Sequence, residues 1–161
     1  MVWTAAHGWV FLHAIVDCCT RAIAGWSVDL RCRDDEAIAC VEAGLLGRNV
    51  QPGCLTLGSD NGSQFTSRDF RKHLSVRGVS HRRGGYRDPE SQAFIESWFG
   101  QFNKRCAWRA EWETIEHARQ DIGRYIDAYH RRRQSGLGYR TPHEVASTWR
   151  PDPDVLQTTA T

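Results

Sequence analysis

The fold is decided by the stretch Trp9-Val-Phe-Leu-His-Ala-Ile-Val16 and by the residues that follow it. This run is almost continuously apolar, which is typical of a central strand buried on both faces. Asp17-Cys-Cys-Thr-Arg21 then turns the chain, and Ala22 to Leu30 alternates apolar with polar residues as a second strand does. Because the connection is short, we predict that the two strands pair as an antiparallel hairpin.

Further along the chain, the apolar spacing and the turn residues predict two short strands and four helices. The strands are predicted at Leu55–Leu57 and Val79–Arg82, and the helices at 34–47, 66–78, 91–108 and from Thr114 onward. Gly84 to Pro89 has the composition of a mobile loop. Strands followed by helices indicate an α/β domain with a mixed sheet, which we place at 1–150, with a flexible tail at 151–161.

The composition is that of one ordinary globular domain. The chain has 161 residues, of which 40% are hydrophobic and 25% charged. Its longest apolar run is much shorter than the roughly 20 residues that span a bilayer, and its start does not resemble a signal peptide, so we expect a cytoplasmic protein without a membrane segment. The six cysteines show no Cys-Xaa-Xaa-Cys spacing, which favours buried small side chains over a disulfide framework.

The formal net charge of +2 conceals an uneven distribution of charge along the chain. Counting Lys and Arg against Asp and Glu, residues 1–70 carry −3, residues 71–140 carry +7 and residues 141–161 carry −2. A basic second half after an acidic first half indicates a surface for a polyanion beside a carboxylate-rich site. The alternative is a set of solvated helix faces, and the charges alone do not separate the two interpretations.

Asp60 is the first candidate for chemistry. It follows a predicted strand, in Ser59-Asp-Asn-Gly-Ser-Gln-Phe-Thr66. Ligands collect at the carboxyl ends of strands in α/β sheets, and the Asn and Gly that follow let the carboxylate point outward. The alternative is an ordinary Asp-Asn-Gly turn on the surface.

Glu96 is the second candidate, because it lies in the apolar stretch Ala93-Phe-Ile-Glu-Ser-Trp-Phe99 of the long helix. At about 100° per residue, Gly100 and Asn103 share its face while the large apolar residues do not. Gly100 costs a helix about 1 kcal/mol relative to Ala, which favours the close approach of another molecule there. The alternative is a solvent-facing Glu on an amphipathic helix.

Both motifs, and the 35 residues from position 61 to position 95 that separate the two carboxylates, resemble the integrase catalytic core of insertion-sequence transposases and retroviral integrases. The stretch from Gly8-Trp9 to Ala24-Gly-Trp26 is similar to the first hairpin of that family. Gln134 to Pro142 is similar to the segment that closes the domain in bacterial members. The resemblance implies an RNase H-like fold, with a mixed central sheet flanked by helices and a first strand that is incomplete here.

The resemblance also implies metal-dependent DNA strand transfer in transposition or integration. Asp60 and Glu96 match the second and third of three catalytic carboxylates, which hold two Mg²⁺ or Mn²⁺ ions. Many members place a Lys or Arg seven residues after the Glu, whereas this chain has Asn103 there and Lys104 next to it. The expected partners are DNA and further copies of the chain, and the expected DNA contacts are Asn61, Gln64, Lys104 and Arg105.

The first carboxylate of the family is expected about two residues upstream of Met1, on an Asp-Xaa-Thr motif. Asp17 matches the family's Asp before the turn and is a weaker candidate for a substitute ligand, and Asp29 is weaker still. Strand transfer by this chain is therefore expected to be impaired. The first hypothesis is a transposase core whose reading frame starts upstream, and the alternatives are a non-catalytic remnant that binds DNA or dimerises and a monomeric RNase H-like nuclease.

Overall fold

The computed structural model describes residues 1–46, 52–84 and 89–149, with the backbone alone at 89–91. Strands β1 (Val2–Thr4), β2 (Gly8–Val16) and β3 (Ile23–Asp29) form an antiparallel sheet in that order, and β4 (Leu55–Ser59) pairs in parallel with β5 (Val79–Arg83). Antiparallel and parallel pairings are therefore both present, as predicted, and the described strands lie in two separate sheets. The described helices are α1 (Asp34–Leu45), α2 (Ser63–Thr66), α3 (Arg68–Val76), α4 (Pro89–Arg105), α5 (Ile115–His130) and α6 (Pro142–Thr148).

The predicted hairpin is confirmed, with Leu12 opposite Val28 and Ala14 opposite Trp26. β1 was not predicted, because three residues are too few to show an alternating pattern. It pairs with the start of β2 through Val2 opposite Val10, and both of these side chains are buried.

One face of the three-stranded sheet carries the larger hydrophobic cluster. Val10, Leu12 and Val28 of the sheet pack there with Trp98 and Phe102 of α4. α5 contributes an apolar stripe to the same cluster, with Ile115, Ala118, Ile122, Ile126 and Tyr129. The stripe follows helical spacing, and the helix begins after Thr114, whose side chain accepts the N–H of His117.

The opposite face of the sheet is covered only in part, so the prediction of a strand buried on both faces is wrong for the start of β2. Trp9 is 60% exposed and packs edge-to-face on Trp3, with ring centroids 5.5 Å apart. At the other end of the strand, Ile15 does contact a second hydrophobic cluster, which consists of Ala37, Val41, Phe70, Leu74 and Val79. That cluster joins α1, α3 and β5.

Gly25 of β3 allows α1 to cross the sheet at close range. A Cβ atom at Gly25 would lie 2.6 Å from the carbonyl oxygen of Cys40 and 2.6 Å from the backbone nitrogen of Gly44. Both are backbone atoms of α1, which cannot move aside as a flexible side chain can. The absence of a side chain at Gly25 therefore sets the distance between helix and sheet.

Other predicted boundaries agree with the structure to within a few residues. α3 begins after Ser67, whose hydroxyl accepts the N–H of Phe70. The predicted stop at Gly47, the greater part of the loop from Gly84 to Pro89 and the tail at 151–161 lie outside the described residues. Within those residues, no helix is long and apolar enough to cross a membrane.

The prediction of buried cysteines is wrong for most of them. Cys40 on α1 is buried, whereas Cys18, Cys19 and Cys54 are exposed. The three exposed cysteines lie in turns and connections, where no element covers them, and all six cysteines are free thiols.

Candidate functional site

Asp60 lies immediately after β4, at the carboxyl end of the strand, and is exposed. Its Oδ1 accepts the N–H of Gly62 at 2.8 Å, which fixes the direction of the carboxylate relative to the turn. The hydroxyl of Ser59 donates to the carbonyl oxygen of Asp60 at 2.9 Å. The turn therefore presents the carboxylate of Asp60 to solvent. Hydrogen bonds from Gly62 and from Ser59 hold Asp60 in this position.

The end of β5 is tied to the same turn. The backbone N–H of Gly84 donates to the carbonyl oxygen of Ser59 at 2.7 Å, and Nδ2 of Asn61 donates to the carbonyl oxygen of Gly84 at 3.3 Å. Asn61, expected to contact DNA, thus has its amide nitrogen engaged in bracing the two strand ends against each other.

α4 reaches this edge through Gln92. A Cβ atom at Gly84 would lie 2.4 Å from Nε2 of Gln92, so the carboxamide packs directly against the glycine. Residues four apart lie on the same face of a helix, which puts Glu96 one turn beyond Gln92 on the side that faces this edge. The contacts from Ser59 through Gly84 to Gln92 connect the segments that carry Asp60 and Glu96.

The side of α4 that carries Glu96 is open to solvent. Glu96 and Gly100 are exposed, whereas Trp98 and Phe102 are each only 1% exposed. A Cβ atom at Gly100 would meet nothing within 4 Å, so packing within the described protein does not require a glycine there. Glu96 therefore lies on the polar face that its spacing predicts.

A histidine lies beneath the Asp60 turn. Nε2 of His81 on β5 is 2.9 Å from the hydroxyl oxygen of Ser59. Burial lowers the pKa of His81, and the nearby charges of Arg83 and Arg71 lower it further. A neutral imidazole in this position supports the turn without adding a positive charge to it.

Cys32, on the connection between β3 and α1, lies within electrostatic range of Asp60. Burial raises the pKa of the Cys32 thiol, and the carboxylates of Glu36 and Asp60 raise it further, while the amino group of Met1 acts in the opposite direction. Sequence reasoning missed Cys32 and His81, because neither has a motif or a spacing that links it to Asp60. Gln92 could have been found from its position four residues before Glu96.

The two alternative carboxylates have other partners. Oδ1 of Asp17 accepts the N–H groups of Cys19 at 2.8 Å and Thr20 at 3.2 Å, which caps the hairpin turn. Asp29 accepts the hydroxyl of Ser27 at 2.7 Å and lies 3.6 Å from the guanidinium of Arg119. Both therefore have structural roles in the hairpin.

The four expected DNA contacts fall into two groups. Gln64 is half-buried beside Gly62, so it lies with Asn61 at the Asp60 turn. Lys104 and Arg105 are exposed in the last turn of α4. The rise of a helix puts Lys104 about 12 Å from Glu96 along the axis. The structure thus brings Asn61 and Gln64 to Asp60, and leaves the two basic residues at the far end of α4.

The side chains available for a metal are carboxylates on an exposed edge, which are the hard oxygen ligands that Mg²⁺ and Mn²⁺ take. Within the described ranges, no three His, Cys, Asp or Glu side chains come together in a group that could hold a metal ion. The carboxylate oxygens of Asp60 and Glu96 are therefore suitable ligands for a divalent cation. They would form only part of its ligand set.

Comparison with protein families gives two matches, both to models described as integrase core domain. One covers residues 1–89 and the other residues 77–142. Among curated proteins, the chain is 30% identical over 139 residues to a transposase for insertion sequence element IS904 of Lactococcus lactis. It is 28% identical over 142 residues to the transposase InsF for insertion sequence IS3A of Escherichia coli. Each match covers 85% of this chain, which spans about half the length of the relatives, 54% and 48% respectively.

Solved structures with the same fold include two retroviral proteins. The catalytic core domain of BIV integrase superposes with a TM-score of 0.66 at 20% identity, over 94% of this chain and 91% of that one. A chain of the simian T-cell lymphotropic virus intasome in complex with PP2A regulatory subunit B56 gamma gives a TM-score of 0.67 at 16% identity, over 89% and 50%. These likenesses confirm the predicted RNase H-like α/β fold.

Proposed function

Because this chain belongs to the integrase core domain family, we propose that it is the catalytic core of an insertion-sequence transposase and acts in metal-dependent DNA strand transfer. The observation that carries the proposal is the series of contacts from Ser59 through Gly84 to Gln92. These contacts bring the turn of Asp60 and the helix of Glu96 to one open edge of the domain. The basic second half of the chain supplies the charge that a DNA substrate needs.

Asp60 and Glu96 are proposed as metal ligands, for Mg²⁺ or Mn²⁺. When bound, two divalent ions supply activation of the attacking oxygen and stabilisation of the leaving oxygen in a displacement at phosphorus. Other residues of this chain hold the two carboxylates in position. The N–H of Gly62 orients the carboxylate of Asp60, and the hydrogen bonds of Gly84 hold the Asp60 turn beside the end of β5, on which Gln92 of α4 packs.

Positioning of DNA is assigned to polar and basic side chains on both sides of the carboxylates. Gln64 lies at the turn, and Lys104 and Arg105 extend from the last turn of α4. Arg83 at the end of β5 is exposed and opposite Ser59, so it adds positive charge beside Asp60 that the motifs did not indicate. Guanidinium groups bind phosphate through paired hydrogen bonds, and this would hold a strand across the edge.

The remaining carboxylate, which the family resemblance places first of the three, is proposed on the segment that leads into β1. The amino group of Met1 and the carboxylate of Asp60 both act on the Cys32 thiol, so the start of β1 lies on the Asp60 side of the molecule. An Asp placed shortly before β1 would therefore lie on the same side of the molecule as Asp60. The placement agrees with the Asp-Xaa-Thr motif that the family resemblance implies.

The second candidate is a module that binds DNA or associates with other copies without catalysing strand transfer. It is favoured by one observation, that the described residues bring together no group of three potential metal ligands. Both candidates keep the basic surface, so DNA binding alone does not separate them. Association into oligomers on DNA is proposed for either.

The test combines metal binding with strand transfer. Mn²⁺ affinity, measured by calorimetry, is expected to fall about tenfold or more in Asp60→Asn and in Glu96→Gln. Asp69→Asn is the matched control, because Asp69 is an exposed carboxylate on α3. We expect little or no strand transfer by the chain alone, and a gain when an Asp-Xaa-Thr segment precedes Met1.

Three results would each contradict a part of the proposal. Mn²⁺ binding that is unchanged in both Asp60→Asn and Glu96→Gln would remove these residues as ligands. Robust strand transfer by the chain alone that disappears in Asp17→Asn would assign the first carboxylate to Asp17. An extended chain that binds Mn²⁺ through Asp60 and Glu96 yet transfers no strand would favour the non-catalytic module.

A further inference from the structure

A cavity of about 180 Å³ lies between the turn after β2, α4 and the segment that follows α5. Its wall includes Phe94, Ser97 and Gln101 of α4 and Arg21 of the turn. At 100° per residue, these α4 positions lie about 100° to 160° around the helix from Glu96. The cavity is therefore separate from the edge that carries the carboxylates.

Arg21 is held in the wall of the cavity in an unusual conformation. Its φ of 60° is in the left-handed region, which costs a residue with a side chain about 1 kcal/mol or more. Its carbonyl oxygen accepts the hydroxyl of Tyr129 at 2.8 Å, and its guanidinium carbon lies 3.1 Å from the ring centroid of Phe94. Backbone and side chain are thus both fixed, with a positive charge at the cavity.

The other polar groups of the wall can donate hydrogen bonds. Trp98 also forms part of the wall and is only 1% exposed, and its Nε1–H has no hydrogen-bond partner among the described residues. A buried donor without a partner costs about 1 to 3 kcal/mol, and this indole N–H, itself inaccessible, lies behind the cavity surface and not on it. Ser97 and Gln101 add a hydroxyl and a carboxamide, and the described wall contains no Asp or Glu.

We propose that this cavity binds a phosphate group, carried either by DNA or by a small free molecule. A fixed guanidinium beside several neutral donors, without a carboxylate, is the donor set that binds phosphate. Phe94 and Val16 supply apolar parts of the wall. The inference does not depend on strand transfer, because it uses none of the residues proposed as metal ligands.

The experiment follows the indole N–H resonance of Trp98 by NMR, assigned with Trp98→Phe among the seven tryptophans of the chain. Inorganic phosphate and a short DNA duplex are titrated separately at constant ionic strength. We expect a saturable shift of this resonance with at least one of them. Gln101→Glu, which puts a negative charge in the wall, is expected to weaken the binding about tenfold.

Gln120→Glu is the matched control, since it makes the same change at an exposed position of α5 outside the cavity wall. Arg21→Gln is a second variant and should abolish the shift. If Arg21→Gln does not fold, the test rests on Gln101→Glu, because Gln101 is exposed and its substitution should leave the fold intact. A shift with phosphate alone identifies a free anion as ligand, and a shift with DNA alone identifies a backbone phosphate. No shift with either, or equal shifts in Gln101→Glu and Gln120→Glu, would overturn the proposal.

Discussion

At the scale of single residues, the Cys32 thiol reports on Asp60. Burial raises its pKa, and the carboxylates of Glu36 and Asp60 raise it further. Removal of the charge in Asp60→Asn should therefore lower this pKa and increase the thiolate fraction. We expect faster alkylation of Cys32 by iodoacetamide at pH 8, measured by mass spectrometry of the peptide that contains it.

The control for this prediction is Asp69→Asn, which removes an exposed carboxylate on α3. The exposed thiols of Cys18 and Cys54 serve as internal references for the reagent. An equal rate for Cys32 in the wild type and in Asp60→Asn would show that the two side chains are not coupled.

The residues proposed for the candidate site could be identified from the sequence only where a motif carries them. Asp60 and Glu96 are found from their local sequence and their separation. His81 and Cys32 lie 21 and 28 positions from Asp60 in the chain. His81 on β5 contacts Ser59, and Cys32, on the connection between β3 and α1, is influenced by Asp60, and both relations arise only in the folded chain. No local pattern contains that information.

At the scale of elements, the crossing of α1 over β3 depends on Gly25. Ala at this position would put its Cβ 2.6 Å from backbone atoms of Cys40 and Gly44, so helix and sheet would have to separate. We expect Gly25→Ala to lower the free energy of unfolding by about 3 kcal/mol, measured by urea denaturation.

Gly58→Ala is the control for this substitution. Gly58 also lies in a strand, β4, but a Cβ atom there would meet nothing within 4 Å. Its effect should stay within about 0.5 kcal/mol. Similar losses of unfolding free energy in the two variants would mean that replacing any strand glycine is destabilising, and that the close crossing of α1 over β3 is not the cause.

A second contact between elements joins α1 to α3 through Glu42. Burial opposes ionisation of Glu42, but hydrogen bonds from Arg77 and His73 outweigh it and hold its pKa below the usual value. A lowered pKa in the folded state gives stability that is present above the unfolded pKa of about 4.3 and is lost as pH falls through the folded pKa.

Glu42→Gln should therefore cost about 0.5 to 1 kcal/mol at pH 7, a modest value because the pair is partly exposed. The difference from the wild type should shrink towards zero at pH 3 when urea denaturation is compared at the two pH values. Glu111→Gln, at an exposed position before α5, is the control. A difference in the free energy of unfolding that stays constant between pH 7 and pH 3 would show that ionised Glu42 does not stabilise the fold through Arg77 and His73.

Elements with strong periodicity were predictable and short ones were not. The hairpin of β2 and β3 and the stripe of α5 follow directly from apolar spacing. β1 and α2, of three and four residues, are too short to show any spacing. The exposure of Trp9 depends on which part of the sheet α1 covers, and this is decided by the crossing at Gly25 and not by the sequence of β2.

At the scale of the whole molecule, the uneven charge predicts how the chain would bind DNA under the proposed function. Binding measured by fluorescence anisotropy should weaken about tenfold or more between 50 and 200 mM salt and should vary little with sequence. The double variant Lys104→Gln, Arg105→Gln should reduce the slope of log affinity against log salt by about 2.

Arg124→Gln is the control for the charge change, because Arg124 is 76% exposed on α5. Its slope should stay close to that of the wild type. Equal binding at low and high salt would contradict an electrostatic interface, and an unchanged slope in the double variant would place the contact away from α4.

The two hydrophobic clusters of the fold link the proposed metal site to the stability of the domain. Asp60 follows a strand whose Leu57 packs on the cluster of α1, α3 and β5, whereas Glu96 belongs to a helix anchored in the larger cluster by Trp98 and Phe102. The two carboxylates are thus supported by different hydrophobic clusters of the domain. An ion bound by both carboxylates would link the two clusters and would raise the free energy of unfolding of the domain.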